Sequence, residues 1–198
     1  MKTRIAVFVS GGGTNLQALI DASRRGELPS GELALVLSSS PKAYALERAA
    51  NAGIPTAVVR SRDENHEQTI LDTLRAHSID MIVLAGYMSI LSEDFTKRFP
   101  SRILNVHPSL IPSFCGKGYY GLRVHEEALR RGVKVTGATV HFVNEIPDGG
   151  EILLQKAVDV LPGDTPQTLQ RRVMQQAEWK LLPQATEMVA KRILEEKQ

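Results

Sequence analysis

One cysteine, Cys115, stands in 198 residues, so no internal disulfide framework can form. Charge of one sign is not in excess either. The 24 Lys and Arg residues against 22 Asp and Glu leave a formal net charge of +2, without the basic surplus of a dedicated nucleic-acid binder. No apolar run approaches the roughly 18 residues of a membrane span. The basic start followed by Ile5–Val9 begins as a signal peptide would. Its apolar run ends at Ser10 and the glycines Gly11–Gly13, too soon for an h-region. Pairs of histidine or cysteine at metal-ligand spacing are missing, so no metal site is expected. Repeats, low-complexity stretches and linkers are missing as well. What remains reads as a cytoplasmic protein, without nucleic-acid or membrane partners. It reads as a single domain over residues 1–198, a monomer or a homodimer.

Hydrophobic residues make up 42 % of the chain, enough for a sizeable core, and they are organised from the start. Arg4–Val9 predicts a strand, Asn15–Arg25 a helix with Leu16, Leu19 and Ile20 on one face, and Leu33–Leu37 a second strand. The alternation continues with a helix at Ala43–Asn51, a strand at Thr56–Val59, a helix at Asp63–His77 and a strand at Met81–Ala85. After them come a helix at Ser92–Phe99 and a strand at Ile103–Val106. Val135–Phe142 and Ile152–Val160 predict later strands on either side of an Asp148-Gly149-Gly150 loop. The tail from Thr165 to about Leu194 predicts helix broken in two at Pro183. This spacing implies an α/β fold: a mostly parallel sheet with helices on both faces, Rossmann-like in outline.

Ser10-Gly11-Gly12-Gly13-Thr14-Asn15 joins the first strand to the first helix. Glycines allow a sharp turn there, and the free N–H groups of a helix start favour a bound phosphate. Thr14 and Asn15 are candidates to cap that helix. A dinucleotide fingerprint fails, because Leu16 stands where its third glycine belongs and the second strand ends in Ser38-Ser39-Ser40 with no acid for a ribose diol. No Gly-Lys-Ser/Thr follows, so a P-loop fails too. A glycine turn serving geometry alone is the plain alternative to a monophosphate site.

Asn105 and His107 sit two apart at the end of an apolar strand, and i, i+2 side chains point the same way. Pro108 disfavours helix directly after them. In parallel sheets ligands bind at such C-terminal strand ends, and an amide beside an imidazole suits a developing oxyanion. Asp148 is the expected third member, a carboxylate that would favour the charged imidazole and raise the pKa of His107. The dull readings are a capped turn and an Asp-Gly-Gly turn. His141 alternates within a strand, as a supporting or packed residue near the same pocket. His125, among Glu126, Glu127 and Arg130, reads as solvated helix surface. Cys115, in the Gly- and Tyr-rich Ser113–Gly121, has no evident base and is not the nucleophile.

Several segments together resemble the folate-dependent phosphoribosylglycinamide formyltransferases: S-G-G-G-T-N-L, L-A-G-Y-M-S-I-L, N-V-H-P-S-L-I-P, G-A-T-V-H-F-V and D-G-G-E-I-L. Their order and spacing cover nearly the whole chain. The resemblance implies an enzyme of purine synthesis with two small substrates, glycinamide ribonucleotide and 10-formyltetrahydrofolate as co-substrate. It implies that Asn105 and His107 polarise the formyl carbonyl while Asp148 tunes His107 and helps move protons. Gly13, Thr14 and Asn15 would hold the ribonucleotide phosphate, and Gln175 and Glu178 would reach the same substrate. Met88, Ser89, Ile90 and Leu91 would flank the folate, with Asn105 and Arg62 in contact with it. Ser89 stands where many members carry arginine, Trp179 where histidine is common, and Phe114–Leu122 is a longer variant of the usual segment.

The nearest rival is hydrolysis of formyl folate on the same core. Enzymes of that kind usually carry an N-terminal regulatory domain, and the first strand here is expected at Arg4. Formylation of an aminoacylated tRNA would call for a further C-terminal domain and a basic surface. A non-catalytic sensor of phosphorylated metabolites would use the glycine loop alone and leave Asn105, His107 and Asp148 without a task.

Overall fold

The computed structural model describes residues 2–197. Seven strands form one sheet in the order β3-β2-β1-β4-β5-β6-β7. They are β1 Thr3–Val9, β2 Gly31–Ser38, β3 Thr56–Val58, β4 Met81–Leu84, β5 Ile103–His107, β6 Val135–Phe142 and β7 Ile152–Asp159. The first five run parallel, and β6 and β7 join antiparallel. The mostly parallel sheet expected from strand–helix alternation is present, with an antiparallel edge. Order reverses between β1 and β4, so loops leaving those strands open a crevice at the C-terminal edge.

Period-two patterning decides what each face of the sheet meets. In β1, Ile5, Val7 and Val9 enter one core while Ala6 and Phe8 enter the other. The first core is roofed by α1 Thr14–Arg24, α2 Ala45–Asn51, α5 Leu122–Arg131, α6 Pro166–Val173 and α7 Trp179–Glu196. In α1 the buried residues include Leu16, Leu19 and Ile20, the i, i+3, i+4 stripe expected of a helix on a sheet. The second core is covered by α3 His66–Ala76 and α4 Glu93–Lys97 through Ile70, Leu74 and Phe95.

Two expectations are corrected here. Pro183 does not divide the C-terminal helix, because α7 runs through it unbroken. The discontinuity lies upstream, in a π-turn at Met174–Glu178. A proline removes the bond to the carbonyl four residues back and crowds it. For Pro183 that carbonyl belongs to Trp179, at the junction where the wide turn has already re-registered the ladder. His125 is not solvated either. Its neighbours Glu126, Glu127 and Arg130 face outward, while Val124, His125 and Ala128 form the buried stripe of α5.

Both ring nitrogens of His125 lack a hydrogen-bond partner, and burial pushes its pKa down to about 4, with the nearby His107 adding to the effect. An unfolded chain protonates this histidine near 6.5. The unfolded state therefore binds more protons between pH 6.5 and 4, and stability declines as pH falls through that window. His125→Leu is expected to lie within about 1 kcal/mol of the parent at pH 7, since no hydrogen bond is lost. Its urea midpoint should fall less than the parent's between pH 7 and 5. Equal acid-side losses in both proteins would contradict this account.

Candidate active site

β5 delivers Asn105 and His107 to the C-terminal edge of the sheet on the side opposite Leu104 and Val106, which fill the first core. Antiparallel pairing then sets His141 directly across from Asn105 and Thr139 across from His107. The chain leaves β6, turns, and brings Asp148 back over this pair. Two local features permit the return. Asp148 adopts φ +55°, a left-handed conformation that aspartate tolerates better than most residues. Gly150 passes so close to β6 that a Cβ there would lie 1.8 Å from the Phe142 carbonyl oxygen, so a side chain is excluded.

The Asp148 carboxylate is the hub. Oδ1 accepts from Asn105 Nδ2 at 3.4 Å and lies 3.5 Å from His141 Nε2. Oδ2 accepts from the Gly116 N–H at 2.8 Å and lies 3.5 Å from His107 Nδ1. Asn105 Nδ2 also meets His141 Nε2 at 3.1 Å. Two carbonyls fix the imidazoles, because a carbonyl can only accept. His141 Nδ1–H donates to Phe142 O and His107 Nε2–H donates to Phe114 O, each at 2.8 Å. The neutral His107 ring therefore turns its bare Nδ1 toward Asp148, and the neutral His141 ring turns its bare Nε2 toward Asn105.

The electrostatics depart from the expected raised pKa of His107. Burial lowers it and outweighs the raising effects of Asp148 and the Phe114 carbonyl; His141 lowers it further. Asp148 itself is held below the usual carboxylate range. Burial works against that, and contact with His141, attraction to a protonated His107 and the Gly116 N–H overcome it. At neutral pH the site thus holds a carboxylate beside two imidazoles, with His107 uncharged.

The glycine loop is built from both sides. Ala45 N–H and the Arg48 side chain bind the carbonyls of Gly11 and Gly12. Gly13 has φ +72°, and a Cβ there would meet Ala45 Cβ at 2.6 Å. Neither Thr14 nor Asn15 caps α1: the cap is Gly13, and Thr14 is the first helical residue. Gln17 N–H is the amide that bonds back to Gly13 O, which leaves those of Thr14, Asn15 and Leu16 ahead of the ladder. Asn15 Nδ2 instead donates to Glu178 at 2.8 Å, a carboxyl that burial pushes up to about 7. Thr14 and Gln175 line one cleft, of about 350 Å³, together with Arg48 and Trp179.

Met88 and Ile90 are exposed on the loop after β4, close to the glycine turn: Met88 N–H donates to Ser10 Oγ at 2.9 Å. Ser89 shares that loop. Leu91 turns inward to the second core. Arg62 lies apart, in a cleft with Lys42 and Arg60 beyond β2 and β3. The structure thus gathers Asn105, His107, Asp148 and His141 in one cluster, and Gly13, Thr14, Asn15, Gln175 and Glu178 in another. Among the described residues no group of three His, Cys, Asp or Glu side chains is arranged to hold a metal, and no helix is long and apolar enough to cross a membrane. Sequence reasoning missed Arg48, the Phe114 carbonyl and the Gly116 N–H. The latter two are backbone groups, which carry no residue signature.

An amide, an imidazole and a half-buried carboxylate thus converge at one sheet edge, beside a helix start with free amides. The chain belongs to the formyl transferase family, whose family model matches residues 3–186. It is 44 % identical to the phosphoribosylglycinamide formyltransferase of Haemophilus influenzae, over 91 % of this chain and 84 % of that protein. It is 45 % identical to the human trifunctional purine biosynthetic protein adenosine-3 over 96 % of this chain, but spans only 18 % of that protein's length. The solved structure of glycinamide ribonucleotide transformylase 1 from Symbiobacterium toebii superposes with a TM-score of 0.88 at 40 % identity, over 96 % of this chain and 89 % of that one.

The tight return at Gly150 yields a direct test. Gly150→Ala should force the Asp148 loop off β6, at a cost of about 1–3 kcal/mol typical of overpacking. For a domain of this size that corresponds to a melting temperature lower by roughly 2–12 °C. An unchanged melting curve by circular dichroism would show that the loop closes differently.

Proposed function

We propose that the chain transfers the formyl group of 10-formyltetrahydrofolate to the amine of N1-(5-phospho-D-ribosyl)glycinamide, in the cytoplasm, as a step of de novo purine synthesis. The observation that carries this reading is the Asp148 carboxylate, 3.4 Å from Asn105 Nδ2 and 3.5 Å from His107 Nδ1. The acceptor's neutral amine attacks the formyl carbon, and the carbonyl electron pair moves onto oxygen. Asn105 and the His107 Nε2–H stabilise that oxyanion. The Phe114 carbonyl oxygen marks the place, since it already lies 2.8 Å from Nε2 as an acceptor.

As the C–N10 bond breaks, N10 gains a proton and the attacking nitrogen loses one. The bare Nδ1 of His107 beside Asp148 suits that exchange, through water: a proton resting there makes the imidazole cationic only while the negative charge is present. The depressed resting pKa of His107 fits this, because the cation is needed in the transition state and not before it. The amides before the α1 ladder take the phosphate, with Gln175 and Glu178 on the same substrate. The loop of Met88, Ser89 and Ile90, the backbone at Leu91, and Arg62 take the folate. One oxyanion donor is worth ~10²–10³ in rate and acid–base help ~10²–10⁴.

The reading is tested by following formyl transfer to the phosphorylated acceptor and to water side by side. Transfer to the amine is expected to dominate, and release of formate alone would replace it with the hydrolase reading. An acceptor without the phosphate should lose most of its kcat/KM, each charge-assisted bond contributing about 1.5–3 kcal/mol.

Asp148→Asn keeps the shape and removes the charge, so kcat should fall by about 10²–10⁴, and the His107 pKa followed by NMR should drop further. Combined with His107→Ala, the loss should be far smaller than the product of the single losses. Fully multiplicative losses would mean that the two side chains work independently.

A further inference from the structure

The start of α1 takes its shape from α2. A peptide unit is planar and trans, so each N–H points away from the carbonyl of the residue before it. α2 holds two successive carbonyls of the glycine turn. The Ala45 N–H donates to Gly11 O at 3.1 Å, and Arg48 Nε donates to Gly12 O at 2.8 Å. The N–H groups of Gly12 and Gly13 therefore turn away from α2, and no backbone carbonyl accepts from either among the described residues. Gly13 is left-handed at φ +72°, and Thr14 begins the helix. That succession brings neighbouring N–H groups toward one point, a concavity suited to an anion. The Gly13 N–H is its first donor, and Arg48 sets that donor's direction.

Arg48 is half-buried and is itself held on three sides. Besides Gly12 O, its Nη1 donates to Gln17 Oε1 at 3.0 Å, and Gln17 Nε2 donates to Asp21 Oδ1 at 2.9 Å, which fixes the amide's orientation. The guanidinium lies over the Tyr44 ring, 5.0 Å from its centroid. Arg48 forms no salt bridge among the described residues. Its charge is thus left to the Gly12 carbonyl. A cation bound at a carbonyl polarises the shared peptide, so the Gly13 N–H becomes a stronger donor. Ala45 contributes backbone to this brace, and Arg48 contributes the side chain.

Resting on the reading of the glycine loop as the acceptor's phosphate site, we propose that Arg48 is the positioning residue of that site. It sets the preference for a phosphorylated over an unphosphorylated acceptor. It acts through the peptide it holds, far in the hydrogen-bond network from Asn105, His107 and Asp148, so its effect falls on binding and not on the chemical step. Lysine keeps the charge but lacks the planar fork that reaches Gly12 O and Gln17 Oε1 together.

Kd for the phosphorylated acceptor is measured by calorimetry in the parent, Arg48→Met and Arg48→Lys, alongside kinetics on the acceptor with and without its phosphate. Arg48→Met should raise Kd and KM for the phosphorylated acceptor by about tenfold or more. Its kcat should stay within about threefold, and its KM for formyl folate and kcat/KM for the unphosphorylated acceptor within about twofold. Arg48→Lys should fall between parent and Arg48→Met, and its own rise of about threefold carries the test if the methionine variant does not fold. An unchanged Kd overturns the inference, as does a loss confined to kcat. Equal losses on the two acceptors also overturn it, since they would mark Arg48 as a scaffold residue only. A parent that binds the phosphorylated acceptor but forms no formylated product strikes the proposed function, while the comparison of Kd values still decides the role of Arg48.

Discussion

A single half-buried carboxylate sets the terms for this structure. Asp148 draws a backbone N–H, an amide and two imidazoles to within 3.5 Å. Removing a half-buried charge from water costs several kcal/mol unless such donors replace the solvent. The contacts come from three separate segments: β5, β6, and the Phe114–Gly116 stretch. Satisfying one charge therefore fixes how the antiparallel edge, the returning loop and the Gly-rich segment meet. The same demand explains why the return is made with a left-handed Asp148 and a glycine at 150, where backbone passes against backbone.

The parallel part of the sheet does a different job. Its buried strands place two loop ends, after β1 and after β4, at the point where strand order reverses. The glycine turn there is braced by α2 through Ala45 and Arg48, so its amides are oriented before any ligand arrives. Preorganised donors of this kind avoid the reorganisation that a flexible loop would need on binding. The antiparallel addition of β6 and β7 supplies what parallel pairing could not: two strands in direct opposition, with Asn105 facing His141.

Much of this could be read from residue order, for identifiable reasons. Strands and helices of the parallel half announced themselves through periodicity, and the shared face of Asn105 and His107 followed from spacing alone. Asp148 was expected as the third member of that group, and it stands there, but its exact contacts were not legible. The link to Asn105 spans 43 residues and depends on the register of β6, which no local pattern encodes. His125 was misread because its three charged neighbours suggested water. The stripe Val124, His125, Ala128 was the better guide, since one face of a helix outweighs adjacent residues. Pro183 was misread because a proline rule for regular helices was applied beside a π-turn. The expected rise in the His107 pKa failed on magnitude: the attraction of Asp148 is there, and burial exceeds it.

Two acids, Asp148 and Glu178, show how environment, not residue type, assigns charge. Asp148 has several donors and is held below its ordinary range; Glu178 has one, Asn15, and is raised to about 7. A carboxyl raised in the folded state contributes stability below its ordinary value of 4.5 and loses it as pH rises through about 7. Glu178 is placed inward by the π-turn, whose extra residue rotates the face of the helix relative to α6. The amide it engages belongs to the first turn of α1, so this one hydrogen bond joins the C-terminal helix to the glycine loop across 163 residues. Negative charge is thus reduced beside the start of α1 and concentrated at the β5 edge of the sheet.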